Sequence, residues 1–196
     1  WTFVTMSDEY MLGGTYTGLV LYRKEKGQWV FDRKLDGLKE SCRIMVKDED
    51  QSIWISHPYR GVYNVRWNAG NKDKIDIRFF NQENGLPTNL NNYVFQIAGK
   101  AVFATEKGVF HFDRSKDTFV PDDDFNRLLD KQHRVRYLRE DTKGNVWYVT
   151  DHEAGMLIVN DFGLKKEVRK KVIPELAGKL VGGFEFLLPI DGHNMI

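Results

Sequence analysis

The chain has one cysteine, Cys42. A lone thiol closes no internal disulfide and supplies no cysteine-based metal site. Its expected place is a small, buried, apolar position. No apolar run approaches the roughly 20 residues that cross a bilayer, and no secretory leader is legible. The chain opens on Trp1 without a methionine and closes on Ile196 within an apolar segment, so both ends are expected to be cut from something longer. An excess of one charge is missing too: 29 basic residues stand against 28 acidic ones, a net charge of +1. That balance gives no electrostatic case for nucleic acid or an anionic membrane. The densest basic stretch, Lys165 to Lys171, is interrupted by Glu167 and Val168 and reads as a solvated edge that discourages aggregation. Proline is scarce at 5 residues, and 17 glycines suit tight turns rather than disorder.

Catalytic signatures are equally sparse. No serine sits in a nucleophile elbow, no glycine-rich dinucleotide loop follows a strand, and no phosphate-binding loop with its lysine occurs. The histidines are His57, His111, His133, His152 and His193, and none falls at zinc-ligand spacing. Asp122, Asp123 and Asp124 lack the alternation and central glycine of a calcium loop, and read instead as a helix start. No metal and no cofactor is expected, and the chain is read as non-enzymatic in itself.

What the chain has in quantity is aromatic residues, 13% of the total. Aromatic and β-branched side chains fit a pleated strand surface. They fall in an internal repeat. Tyr10 to Tyr22 reads YMLGGTYTGLVLY, Ser52 to Val65 SIWISHPYRGVYNV, Lys100 to Phe112 KAVFATEKGVFHF, and Asn145 to Val159 NVWYVTDHEAGMLIV. Each is an apolar strand, a short turn, a glycine and a returning apolar strand. The glycines Gly18, Gly61, Gly108 and Gly155 are spaced by 43, 47 and 47 residues. Thr15, His57, Thr105 and Thr150 enter the turns, and Leu12, Trp54, Val102 and Trp147 stand three positions earlier. A period in the forties is that of propeller blades, each a sheet of four strands. Turns headed by Asp48 and Asp141 precede two of these strands with type I turn chemistry.

The expected fold is therefore all-β: a β-propeller fragment of about four blades made of four-stranded antiparallel sheets. The blades fall at approximately 1–42, 43–91, 92–134 and 135–183, and the start of a next blade at 184–196, where Phe184 to Ile196 repeats the entering strand. Packing of neighbouring blades should bury Trp54 and Trp147. One short helix is expected over Asp122 to Leu129, and loop with strand over Lys165 to Leu176, interrupted at Pro174.

Asp141 to Leu157, DTKGNVWYVTDHEAGML, and Asp48 to Tyr63, DEDQSIWISHPYRGVY, resemble the two-component regulator propeller repeat. Asn84 to Asn89, NGLPTN, is similar to the phrase that links blades in that family, with Asp36-Gly37-Leu38 as a degenerate copy one blade earlier. The resemblance covers almost the whole chain. It implies the periplasmic sensor region of a hybrid two-component histidine kinase of Bacteroides-type bacteria, many of which respond to oligosaccharides from dietary or host glycans. The implied partners are an oligosaccharide ligand, the missing propeller blades and sensor modules of the parent chain, and a second copy of the chain in a homodimer. No nucleic acid would be contacted by this segment. The alternatives are a propeller enzyme similar to streptogramin lyases and a protein-interaction scaffold.

Propeller ligands usually meet loops that converge at one end of the blades. The candidate loops are Tyr16-Thr17, His57 to Arg60, Glu106-Lys107 and Asp151 to Glu153. Tyr59, Arg60, Asp151 and His152 are the candidate ligand-binding residues, because a sugar site wants an aromatic face for the ring and charged or imidazole groups for its hydroxyls.

Overall fold

Alternating apolar residues and turn glycines at a fixed period produce four sheets in succession. The computed structural model describes residues 2–57, 59–68, 70–129, 133–161 and 166–176. The first sheet runs β1 (Phe3–Thr5), β2 (Tyr10–Thr15), β3 (Gly18–Glu25), β4 (Gln28–Leu35). The second runs β5 (Ile44–Lys47), β6 (Ile53–His57), β7 (Gly61–Asn68), β8 (Asn71–Phe80). The third is β9 (Tyr93–Ile97), β10 (Lys100–Thr105), β11 (Gly108–Asp113), β12 (Thr118–Pro121). The fourth is β13 (Val135–Glu140), β14 (Val146–Thr150), β15 (Ala154–Asp161), β16 (Lys166–Val172). Every strand pairs with its chain neighbour, so each sheet is an antiparallel meander, and the fold is a propeller-like fragment of four blades. The start of a further blade expected over Phe184 to Ile196 lies outside the described residues.

The chain forms two compact units, Trp1–Val94 with Gly99–Ala101 and Phe95–Ala98 with Val102–Ile196. In the first, one face of the first blade (Leu12, Leu19, Leu21 and Leu35) packs on Met45, Ile53, Ile55 and Val65 of the second. The register Leu12↔Leu21 and Gly14↔Leu19 sets these side chains on one face. In the second unit Val102, Ala104, Val109 and Leu129 meet Val135, Leu138, Val146, Tyr148 and Leu157. Each such aliphatic burial is worth about 1.5–3 kcal/mol relative to exposure.

The turns that lead into β6 and β14 are built on an aspartate. The backbone N–H of Gln51 donates to Asp48 O and that of Gly144 to Asp141 O, both at 3.0 Å. The carboxylates do more than shape the turn. Trp54 Nε1 donates to Asp48 Oδ2 at 3.0 Å and Trp147 Nε1 to Asp141 Oδ2 at 3.2 Å. Both indoles are buried, and an indole N–H in a core needs an acceptor.

Gly18 and Gly61 have φ of +120° and +114°, and a Cβ there would lie 2.2 Å from Leu38 O and 2.3 Å from Phe80 O. These turns accept glycine alone on both counts. Gly155 corrects the expectation that all four repeat glycines serve one turn. It lies inside β15, paired with Tyr148, without a left-handed φ. Its Cβ position is crowded by Lys171 O at 2.4 Å and Tyr148 Oη at 2.6 Å, so it is a close-approach glycine instead.

The linking phrase folds as a capped turn: Asn81 Oδ1 accepts from the Glu83 backbone N–H at 2.8 Å, Gly85 has φ +89°, and Leu86 is buried. Leu38, its counterpart one blade earlier, is buried too, after Gly37 at φ +111°. The expected short helix is α1 (Asp123–Leu129), with Asp122 Oδ1 accepting from Phe125 N at 3.1 Å. The segment Lys165 to Leu176 contains β16 and a 3-10 turn, Pro174–Leu176.

Candidate functional site

The turn between the second and third strand of each blade is shaped by its entering residue. Thr15 Oγ1 donates to Gly18 O at 2.9 Å, Thr105 Oγ1 to Gly108 O at 2.8 Å, and Thr150 Oγ1 to Glu153 O at 3.2 Å. The same hydroxyls accept from the backbone two residues on, at Thr17, Lys107 and His152. In the second blade His57 takes over this duty, with Nδ1 accepting from Tyr59 N at 3.3 Å. A hydroxyl or an imidazole nitrogen thus ties each turn to its strand and sets what the tip presents.

In the first unit, Tyr59 and Arg60 occupy one such tip. Tyr59 is 73% exposed, with its ring edge-on to His57 at 6.2 Å between centroids. Arg60 Nη1 donates to Glu40 Oε1 at 2.8 Å. His57 Nε2 lies 3.6 Å from Glu40 Oε2. Because Nδ1 accepts, the imidazole fits the tautomer with its proton on Nε2, toward that carboxylate. Glu40, from the loop between β4 and β5, escaped sequence reading, because only the fold brings that loop beside the turn. Beneath it Cys42 is buried and donates to Glu40 O at 3.4 Å. Burial, and then the charge of Glu40, pushes its thiol up to about 12. Burial first, then Glu40, also raises the Tyr63 phenol. The tip therefore offers an exposed aromatic face beside a guanidinium, an imidazole and a carboxylate. That set can stack on the apolar side of a sugar ring and bond its hydroxyls.

In the second unit, Asp151 and His152 form the tip of the fourth blade's turn. Asp151 Oδ1 lies 3.2 Å from Arg136 Nε, and its backbone N–H donates to Arg134 O at 3.2 Å. Its carboxylate is thus already engaged with a guanidinium. The His152 and His133 rings meet in a T-shaped contact, with 4.2 Å between centroids and 65° between planes. The neighbouring Glu153 accepts from Tyr148 Oη at 3.0 Å and pairs with Lys170 Nζ. Burial raises the Tyr148 phenol, and the charge of Glu153 adds to it. Of the other candidate loops, Tyr16-Thr17 is exposed, while Glu106 is half-buried beside exposed Lys107.

The four residues singled out in the sequence thus fall into two pairs, one in each unit. Among the described residues no group of three or more His, Cys, Asp or Glu side chains is placed to hold a metal ion. No helix of the described residues is long and apolar enough to cross a membrane.

No family model matches the chain, and no curated protein matches it. Solved structures do. The chain is similar to an extracellular domain of BT3049 from B. thetaiotaomicron, described as a hybrid two component system, at a TM-score of 0.56 and 19% identity over 87% of this chain. It is similar to the extracellular domain of BT4673 from the same organism, described as a one component and as a hybrid two component system, at a TM-score of 0.55 over 87% of this chain. Identity to the two BT4673 structures is 19% and 18%. The likeness is one of fold. The chain spans about a fifth of these domains, 22% of each.

Proposed function

We propose that this chain is a segment of an extracytoplasmic, ligand-sensing propeller of a hybrid two-component sensor histidine kinase, working in the periplasm by recognition rather than turnover. The observation that carries the reading is the likeness of fold to an extracellular domain described as part of a hybrid two component system, at a TM-score of 0.56 over 87% of the chain. The repeat phrases at Asp48 and Asp141 and the linking phrase at Asn84 support the same class. The ligand of this reading is an oligosaccharide. Tyr59 and Arg60, backed by His57 and Glu40, supply a ring platform and hydroxyl partners, and Asp151 and His152 head a second tip. The remaining blades and sensor modules of the parent chain are its further partners, together with a second copy in a signalling dimer.

The test is calorimetry of the full chain against a panel of neutral and acidic oligosaccharides, with product analysis of each mixture after prolonged incubation. Saturable binding without new products is expected, and Tyr59→Ala should weaken it about tenfold, since a stacked aromatic contributes of the order of 1 kcal/mol or more. Cleavage of a panel member by the pure chain would overturn the non-catalytic reading.

A further inference from the structure

We infer that one face of the first blade is the docking surface for the blade that precedes it in a longer parent chain. The inference rests on the reading of this chain as a segment of a larger propeller, and it names the surface and its occupant.

The repeat packs its blades in one sense. In the first unit, Leu12, Leu19 and Leu21 of the first blade lie against Ile53, Ile55 and Val65 of the second. In the second unit, Val102, Ala104 and Val109 of the third blade lie against Val146, Tyr148 and Leu157 of the fourth. The receiving positions match in register. Ile53 pairs with Val65 across β6 and β7, and Val146 with Leu157 across β14 and β15. Ile55 and Tyr148 stand two residues further along the same strands. All six are buried. In both units a blade thus receives its predecessor on this face.

The same positions in the first blade are Met11, Gly13 and Tyr22, with Met11 paired to Tyr22 across β2 and β3. Here the face stands open. Phe3, paired with Gly13, is 55% exposed, and Phe31, paired with Tyr22, is 61% exposed. The counterpart of Phe31 in the second blade is Ile77, paired with Val65, and it packs against the core between the first two blades. The Tyr22 ring meets both phenyl rings, at 5.7 Å from Phe3 and 6.2 Å from Phe31 between centroids. The rings lie close over Gly13, where an added Cβ would come within 2.9 Å of Tyr22 Cε2 and 3.0 Å of Phe3 Cε1. Trp29 extends the row along β4, paired with Lys24, whose Nζ stands 5.4 Å from the indole ring.

An antiparallel sheet that keeps one face in water places polar residues on it. This face carries phenyl, phenol and indole rings instead, and a contiguous apolar surface of that kind marks a place of contact. The occupant that fits is a sheet presenting small and aliphatic side chains, as Leu12, Leu19 and Leu21 do in one unit and Val102, Ala104 and Val109 in the other. The chain spans 22% of the solved extracellular domains of like fold, so a parent of that size has the length for a preceding blade.

The experiment is hydroxyl-radical footprinting read by mass spectrometry, on this full chain and on the complete propeller of the parent. In this chain Phe3, Trp29 and Phe31 should be oxidised freely. In the parent propeller all three should be protected several-fold, while Phe79, 45% exposed on the second blade, keeps its rate. Phe31→Asp should leave the circular dichroism of this chain unchanged and return Phe3 and Trp29 of the parent to their unprotected rates. Should that variant of the parent fail to fold, the wild-type footprint still decides. Equal reactivity of the three residues in chain and parent overturns the inference. So does a parent with no repeat upstream of Phe3. Protection in this chain alone that grows with its concentration, together with a dimer in sedimentation, overturns it in favour of a second copy. Each of these outcomes leaves the sensing reading to its own ligand panel. A covered face in a parent that lacks a kinase would refute the sensor reading and leave this inference in place.

Discussion

Replacing Asp141 with alanine removes one carboxylate and leaves four donors behind. Its Oδ1 accepts from Lys143 N at 2.8 Å and Asn145 N at 2.9 Å. Its Oδ2 accepts from Asn145 Nδ2 at 2.9 Å and from Trp147 Nε1 at 3.2 Å. Hydrogen bonds to a charged group contribute about 1.5–3 kcal/mol each, but four on one group are not additive, and water can answer some donors in the vacated space. The buried Trp147 indole has the least access to that water. We therefore expect Asp141→Ala to cost ~3–5 kcal/mol in urea unfolding followed by fluorescence. That corresponds to a fall in Tm on the order of 10 °C for a chain of this size. Asp141→Asn keeps the shape but points an amide N–H at donors, so it should recover only part of the loss. A cycle with Trp147→Phe should return a coupling of ~1 kcal/mol between carboxylate and indole. A loss in Asp141→Ala within ~0.5 kcal/mol of the exposed control Thr142→Ala, as for ordinary surface changes, would refute the reasoning.

Four further outcomes follow from the same structure. Asp48→Ala should be comparably destabilising, because Asp48 accepts from Trp54 Nε1, Glu49 N and Ala101 N, and urea midpoints will show it. Gly18→Ala should cost several times as much as Gly27→Ala: both need positive φ, but an added Cβ meets Leu38 O at 2.2 Å at Gly18 and nothing within 4 Å at Gly27. Cys42, with its thiol pushed up to about 12, should resist a thiol-reactive disulfide reagent at pH 8 in the folded chain and react fully in denaturant. For Asp141, burial alone would raise the carboxyl, but bonds from Asn145, Lys143 and Trp147 outweigh it and hold the group below the usual carboxylate range. Its stabilising contribution is thus complete above the unfolded value of about 3.9 and is lost as pH falls through the lower folded value, so acid unfolding should flatten in Asp141→Asn.

The period of the repeat made the blades legible because each depends on local chemistry: an alternating strand, a turn residue and a glycine. Gly18, Gly61 and Gly108 take left-handed φ as turn glycines should. Gly155 misled because spacing alone cannot separate a turn glycine from one that admits a neighbouring ring. In the fourth blade Glu153 stands where Gly18 and Gly108 stand in theirs, receiving the threonine hydroxyl on its carbonyl. The aspartate-to-indole bonds were also within reach of the sequence, since Asp48 to Trp54 and Asp141 to Trp147 share one spacing. Less accessible were the partners of the candidate tip residues. Glu40 reaches Arg60 across 20 positions, and Arg136 reaches Asp151 across a strand pair. Those contacts depend on sheet register and loop course, which no local pattern encodes.

The most direct test of the sensor reading is the reading frame of the parent gene on both sides of this stretch. The account predicts further propeller repeats, then an apolar span of ~20 residues and a histidine-kinase region downstream. A frame that ends after one closed propeller, with neither a span nor a kinase, would contradict it.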